Sequence, residues 1–188
     1  MNKSTKVIVQ TGILLAICIV SQFMKNLSVY ITGPIVNMTI IMAVLVIGLG
    51  SGVILAVISP ITAFFIAPSP ITMGIPTIMP CIMVGNTLLA VGIWLFKDKL
   101  LMNKVKETYR VIIGMVIGAV AKAAFMGVSI VLILLPMYKG NIKVPEQKLN
   151  ILLNTAKITF SITQLITALI GCALCYVIWL RIKNAIEQ

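Results

Sequence analysis

The chain has 188 residues, of which 60% are hydrophobic and 10% charged, and its mean hydropathy is +1.13. A water-soluble domain of this size cannot hide so much apolar surface, so the sequence specifies an integral membrane protein. The formal net charge of +11 would point to nucleic acid in a soluble protein. Here the lysines and arginines gather at the ends of apolar runs, where they orient membrane segments, and no nucleic-acid partner is expected.

Six apolar runs have spanning length, at about 7–24, 34–50, 51–67, 80–96, 110–135 and 158–180. They predict an all-α bundle of six transmembrane helices, a single membrane domain over 1–188 with no room for a second. Lys3 and Lys6 precede the first run as in a signal peptide, but no small-x-small cleavage site follows, so the run is expected to stay as a span. It carries Gly12 and Ala16, four residues apart on one face, where another helix can approach closely. Runs two and three are joined by "GLGSG", Gly48 to Gly52, which suits a tight turn. It lacks the Gly-Lys-Ser/Thr element of a phosphate-binding loop.

The next connection, about 68–79 within "PSPITMGIPTIMP", is proline-rich and uncharged, and is expected to fold back against the bundle. The fifth run holds a second small-xxx-small pair, Gly114 and Gly118, assigned to internal packing. The connection at 136–157, with "EQKLNILLNTAK", has the length of a lid or binding loop, and a third outer connection covers about 25–33. The four cysteines, Cys18, Cys81, Cys172 and Cys175, lie in or beside apolar runs and read as packing residues. With no histidine in the chain, no metal site and no cofactor are expected.

Charge sets the direction. One side holds Lys3, Lys6, Lys97, Lys99, Lys104, Lys106, Arg110, Arg181 and Lys183; the other holds Lys25, Lys139, Lys143 and Lys148, with Lys157 at its edge. The richer side is assigned to the cytoplasm together with both termini. Trp94 and Trp179 fall near the inner ends of their spans, where an interfacial ring is stable.

Lys122 stands out. It lies about 18 Å along the helix axis from Arg110, beyond the reach of a snorkelling side chain. A charge at such depth costs at least about 2.5–3.5 kcal/mol, and no span contains an aspartate or glutamate to neutralise it. It must face a wet or polar cavity, or a ligand. Asn37 and Asn86 lie in the outer halves of spans two and four, Gln164 lies two turns into span six, and Ser59, Thr62, Thr163 and Thr167 are at comparable depth. Each amide alone could simply hydrogen-bond a neighbouring helix. Their convergence in the outer and middle layers instead predicts an outward-opening pocket formed by Asn37, Asn86, Gln164, Thr62 and Thr163, with Lys122 as its floor. A cation without a partner acid favours an anionic ligand, and a modest aromatic complement favours a small, partly aliphatic acid.

The segments "QTGILLAICIVS" (Gln10–Ser21), "ITGPIVN" (Ile31–Asn37), "IPTIMPCIMVGN" (Ile75–Asn86), "AKAAFMG" (Ala121–Gly127) and "QLITALIGCALCY" (Gln164–Tyr176) occur in an order that resembles the substrate-binding S-components of energy-coupling factor (ECF) transporters. The resemblance covers nearly the whole chain. It implies a plasma-membrane six-helix bundle that captures a vitamin or related micronutrient from outside. It also implies partners, a membrane-embedded T-component and two cytoplasmic ATPases, and a bundle that topples to deliver its ligand. The family's T-component contact maps onto Gly12 and Ala16, with glycine where alanine is commoner, and its gating loops map onto the three outer connections. The absence of a Walker motif agrees with a subunit that depends on partner ATPases. A stand-alone secondary permease or channel is the alternative, but the inner halves of the spans, nearly unbroken Ile, Leu, Val and Ala, offer no aqueous route or coupling acid. The chain is not expected to be an enzyme: without histidine or paired acids, Lys122 is the one base a serine could use.

Overall fold

A computed structural model describes residues 2–24, 28–100 and 105–186; the expected positions of Lys25 and Lys104 lie outside the described residues. The helices are α1 (Lys3–Gln22), α2 (Val29–Val46), α3 (Leu49–Ile66), α4 (Pro70–Gly74), α5 (Ile78–Leu95), α6 (Glu107–Met126), α7 (Leu135–Tyr138), α8 (Glu146–Thr159) and α9 (Ile162–Ile186). Among the described residues, six helical segments are long and apolar enough to cross a membrane: Lys3–Gln22, Val29–Val46, Leu49–Ile66, Ile78–Leu100, Glu107–Asn141 and Glu146–Lys183. An even number of crossings leaves both termini on one side.

Several boundaries differ from the sequence expectation, each for a local reason. α2 begins at Val29 and not near residue 34, because Ser28 caps it by accepting from the Tyr30 amide at 3.1 Å. Of the connection expected at 25–33, residues 29–33 are helix, and 25–27 lie outside the described residues. Of the "GLGSG" stretch, only Gly48 turns the chain, at φ 135°, a backbone region open to glycine; Gly50 and Gly52 already belong to α3. The proline-rich connection contains α4, closed by a reciprocal capping box between Ser69 and Thr72. The connection at 136–157 is mostly α8, with only Phe160 and Ser161 between it and α9. Beyond Met126 the fifth span widens into a π-helical stretch, Gly127–Leu134, just before Pro136, which lacks the N–H needed to continue an α-helical ladder.

Two apolar clusters organise the bundle. The larger one fills the middle and inner layers with side chains such as Ile40, Val44, Leu55, Leu89, Met115 and Cys175. The smaller one sits beneath the outer connections, where Ile71, Ile75 and Ile142 meet Met126, Ile130, Ala156 and Phe160. The uncharged connection does fold back on the bundle.

Glycines set how close the helices come. A Cβ on Gly118 would lie 2.8 Å from the Leu89 carbonyl oxygen, and one on Gly92 would lie 2.9 Å from the Gly118 Cα, so α5 and α6 touch backbone to backbone. The Gly114–Gly118 pair thus serves internal packing, as its spacing predicts. On the other flank, a Cβ on Gly171 would lie 2.7 Å from the Asn37 Cβ, and one on Gly33 would lie 2.9 Å from Thr167, so α2 and α9 are equally close. α1 differs: most of its length is exposed, and its buried residues are Cys18, Ser21 and Gln22 at the outer end. At the inner end Lys183 pairs with Glu107, Arg110 donates to the Lys97 carbonyl, and Lys99 and Lys183 lie over the rings of Trp94 and Trp179.

Gly118→Ala is expected to lower the unfolding temperature in detergent, with an overpacking cost of about 1–3 kcal/mol. Gly12→Ala, where a new Cβ meets nothing within 4 Å inside α1, is expected to leave it unchanged or raise it slightly. Scanning fluorimetry of the two variants side by side checks the contrast.

Candidate ligand-binding site

A cavity of about 320 Å³ occupies the outer half of the bundle. α2, α3, α5, α6 and α9 form its sides, the end of α1 closes one edge, and residues of α4 and α8, among them Ile71, Thr72, Leu152 and Thr155, contribute to its outer wall. Most of the lining is apolar, and a few polar groups break it, the usual composition of a small-molecule site.

Lys122 is one of those groups. Only 3% of it is exposed, and Nζ donates to Asn37 Oδ1 at 2.6 Å. The side chains come from α6 and α2, and glycine packing sets both helices: Gly118 holds α6 against α5, and Gly171 holds α9 against the Asn37 turn of α2. Among the described residues Asn37 is the one hydrogen-bond partner of the ammonium, and no carboxylate balances it. A neutral amide orients the charge without cancelling it.

A second polar group centres on Ser59 of α3. Pro60 has no N–H, so the Ala56 carbonyl, four residues earlier, has no helical donor. Asn86 Nδ2 of α5 takes its place, donating to Ala56 O and to Ser59 Oγ at 3.4 Å each. From the other side Gln22 Nε2 of α1 donates to Ser59 O at 3.0 Å. Thr32 Oγ1 ties α2 to α1 through the Ser21 carbonyl at 3.0 Å. α1 is thus held by hydrogen bonds at the cavity.

The residues expected from sequence divide. Asn37, Asn86, Lys122 and Gln164 all line the cavity. Thr62 and Thr163 do not. Thr62 Oγ1 turns back onto its own helix, donating to the Ile58 and Ser59 carbonyls at 3.2 and 3.0 Å. Thr163 is buried, its carbonyl accepting from Thr167 Oγ1 at 2.8 Å; successive residues point about 100° apart on a helix, and it is Gln164 that meets the cavity. Sequence reasoning missed Gln22, Thr32, Thr72 and Thr155. Gln22 ends a span close to a lysine and reads as interfacial, while Thr32 lay in a stretch taken for loop. No three His, Cys, Asp or Glu side chains gather as a metal site among the described residues. Cys172 is a buried thiol whose Sγ donates to Met115 O at 3.6 Å.

The fold and site together define a membrane-embedded binding protein with a capped outer pocket. Residues 6–182 match the family model described as "ECF transporter, substrate-specific component", and the chain belongs to that family. No curated protein and no solved structure matches it. As a member it is a multi-pass protein of the plasma membrane, the substrate-specific component of a transporter, and its class works with a T-component and ATPases on a small-molecule substrate.

Asn37→Leu is expected to destabilise the protein by leaving a buried ammonium unpartnered. Adding Lys122→Met in the same chain should restore part of the loss. A double-mutant cycle of unfolding free energies is expected to give a coupling of about 1.5–3 kcal/mol.

Proposed function

We propose that this chain captures a small organic anion, a vitamin or related micronutrient, from the outer side of the membrane, and that Lys122 pairs with the ligand's charge. The observation that carries this reading is a buried ammonium on the wall of an outer cavity, hydrogen-bonded to a neutral amide and paired with no carboxylate among the described residues. Asn37 aims the ammonium, and Asn86 and Gln164 contribute polar contacts on the neighbouring walls. The apolar remainder of the cavity receives an aliphatic body, and pantothenate is the first candidate.

The excess of Lys and Arg at the end bearing the termini supports a cytoplasmic inner face, with the cavity towards the exterior. The inner half is filled by the larger apolar cluster, so passage requires the partner subunits. Gly12 and Ala16 lie exposed on α1, and a Cβ on Gly12 would meet nothing within 4 Å, which supports this face as the contact for the T-component. On this reading the whole chain, 1–188, acts as one membrane unit.

Mass spectrometry of small molecules released from gently purified protein is expected to identify a small acid. At 100 times its dissociation constant that acid should stabilise the protein by about 2.7 kcal/mol. Lys122→Met is expected to weaken its binding at least about tenfold, as loss of a charge-assisted hydrogen bond does. Unchanged affinity would refute the role given to the ammonium. Ala16→Trp is expected to abolish co-purification with the T-component while leaving ligand binding intact; retained co-purification would exclude that helix face.

A further inference from the structure

Two carbonyl oxygens at the cavity have no donor among the described residues. Gln22 Oε1 and Asn86 Oδ1 are buried and find no hydrogen-bond partner there, on side chains that are 0% and 2% exposed and line the cavity. Neither amide can be reversed to hide the problem. Gln22 Nε2 already donates to Ser59 O, and Asn86 Nδ2 to Ala56 O and Ser59 Oγ, so turning either amide over would set carbonyl against carbonyl. Buried acceptors are rarely left unpaired in native proteins. Both belong to the α1–α3–α5 wall gathered around Ser59, which is chemically the opposite of Lys122: it asks for donors where the ammonium asks for an acceptor.

We infer that the ligand of this cavity, taken as the anion proposed above, carries at least two N–H or O–H donors that pair with Gln22 Oε1 and Asn86 Oδ1. The substrate class is a small hydroxylated or amide-bearing acid and not a plain alkanoate. Gln22 thereby becomes a specificity-determining residue on α1, a helix otherwise turned away from the cavity.

The experiment uses the full-length protein, stripped of ligand in detergent, with four probe acids. Biotin and lipoate share a pentanoate tail on a sulfur ring, but biotin adds two ureido N–H groups. Pantothenate offers hydroxyl and amide donors, and octanoate offers none. A donor-bearing acid is expected to bind at least about tenfold more tightly than lipoate or octanoate, as in sites built around hydrogen bonds. Gln22→Met and Asn86→Leu are each expected to shrink that preference, read as the ratio of donor-bearing to donor-free affinities. If one variant fails to fold, the other and the comparison in the parent protein still decide. Lipoate or octanoate binding as tightly as biotin and pantothenate would overturn the inference, as would a preference that survives both substitutions undiminished. Lys122→Met separates the two readings, because it should weaken all four acids alike; unchanged acid binding in that variant would refute the anion reading alone. If none of the four binds, the molecule released from the purified protein decides: two or more donors uphold the inference and fewer overturn it. A protein that binds no probe and releases no small molecule counts against both readings.

Discussion

The hydrogen bond from the Lys122 ammonium to the Asn37 amide is the interaction on which the outer half of the bundle depends. An ammonium in the interior of a membrane protein must have an oriented acceptor, and that acceptor must arrive at one depth and one rotation. The protein meets this requirement with backbone contacts instead of large side chains. Gly92, Gly114 and Gly118 press α5 against α6, and Gly33 and Gly171 press α2 against α9. Close glycine contacts tolerate little sliding, so each pair keeps its register, and the packing of α6 on α9 and of α2 on α5 sets the two pairs against each other. Dispersion between tightly packed backbones stands in for the hydrophobic drive that lipid does not provide.

The two halves of the bundle have different tasks. The inner half is filled by an apolar cluster drawn from α2, α3, α5, α6 and α9, and ends in a belt of tryptophans, lysines and the ion pairs Glu107–Lys183 and Lys97–Asp98. It seals. The outer half is interrupted by prolines, a π-helical stretch and polar side chains, and these irregularities free backbone groups for use. Pro60 shows the economy of the arrangement: removing one N–H releases a carbonyl that then anchors Asn86. A cavity in the outer half above a packed apolar inner half suits the family of substrate-specific components to which the chain belongs.

Much of this was legible in the sequence because membranes make polar errors expensive. Six apolar runs, the Gly48 turn and the isolation of Lys122 follow from hydropathy and the cost of a buried charge. Asn37, Asn86 and Gln164 were readable from depth alone. Rotation was not: whether Thr62 or Thr163 faces the cavity depends on the helix phase, which neighbours set through contacts invisible in a single sequence. Gln22 escaped for a related reason. Its place at the end of a span looks interfacial, and its burial arises only because α1 ends against Ser59 of α3. α8 escaped because its mixed polar and apolar residues carry no spanning signal, although Glu146 in its first turn and Lys157 in its last suit a helix dipole.

The joint between α8 and α9 has a mechanical consequence. Phe160 and Ser161 are not a slack tether: the Phe160 amide donates to Ala156 O, Ser161 Oγ to Lys157 O, and the Leu165 amide to Ser161 O. The cap and the last span therefore form a bent rod with a stiff elbow. Swinging α8 away from the mouth applies torque to the first turn of α9, where Gln164 resides. Any displacement of α8 that preserves these bonds would carry with it the turn of α9 from which Gln164 lines the cavity.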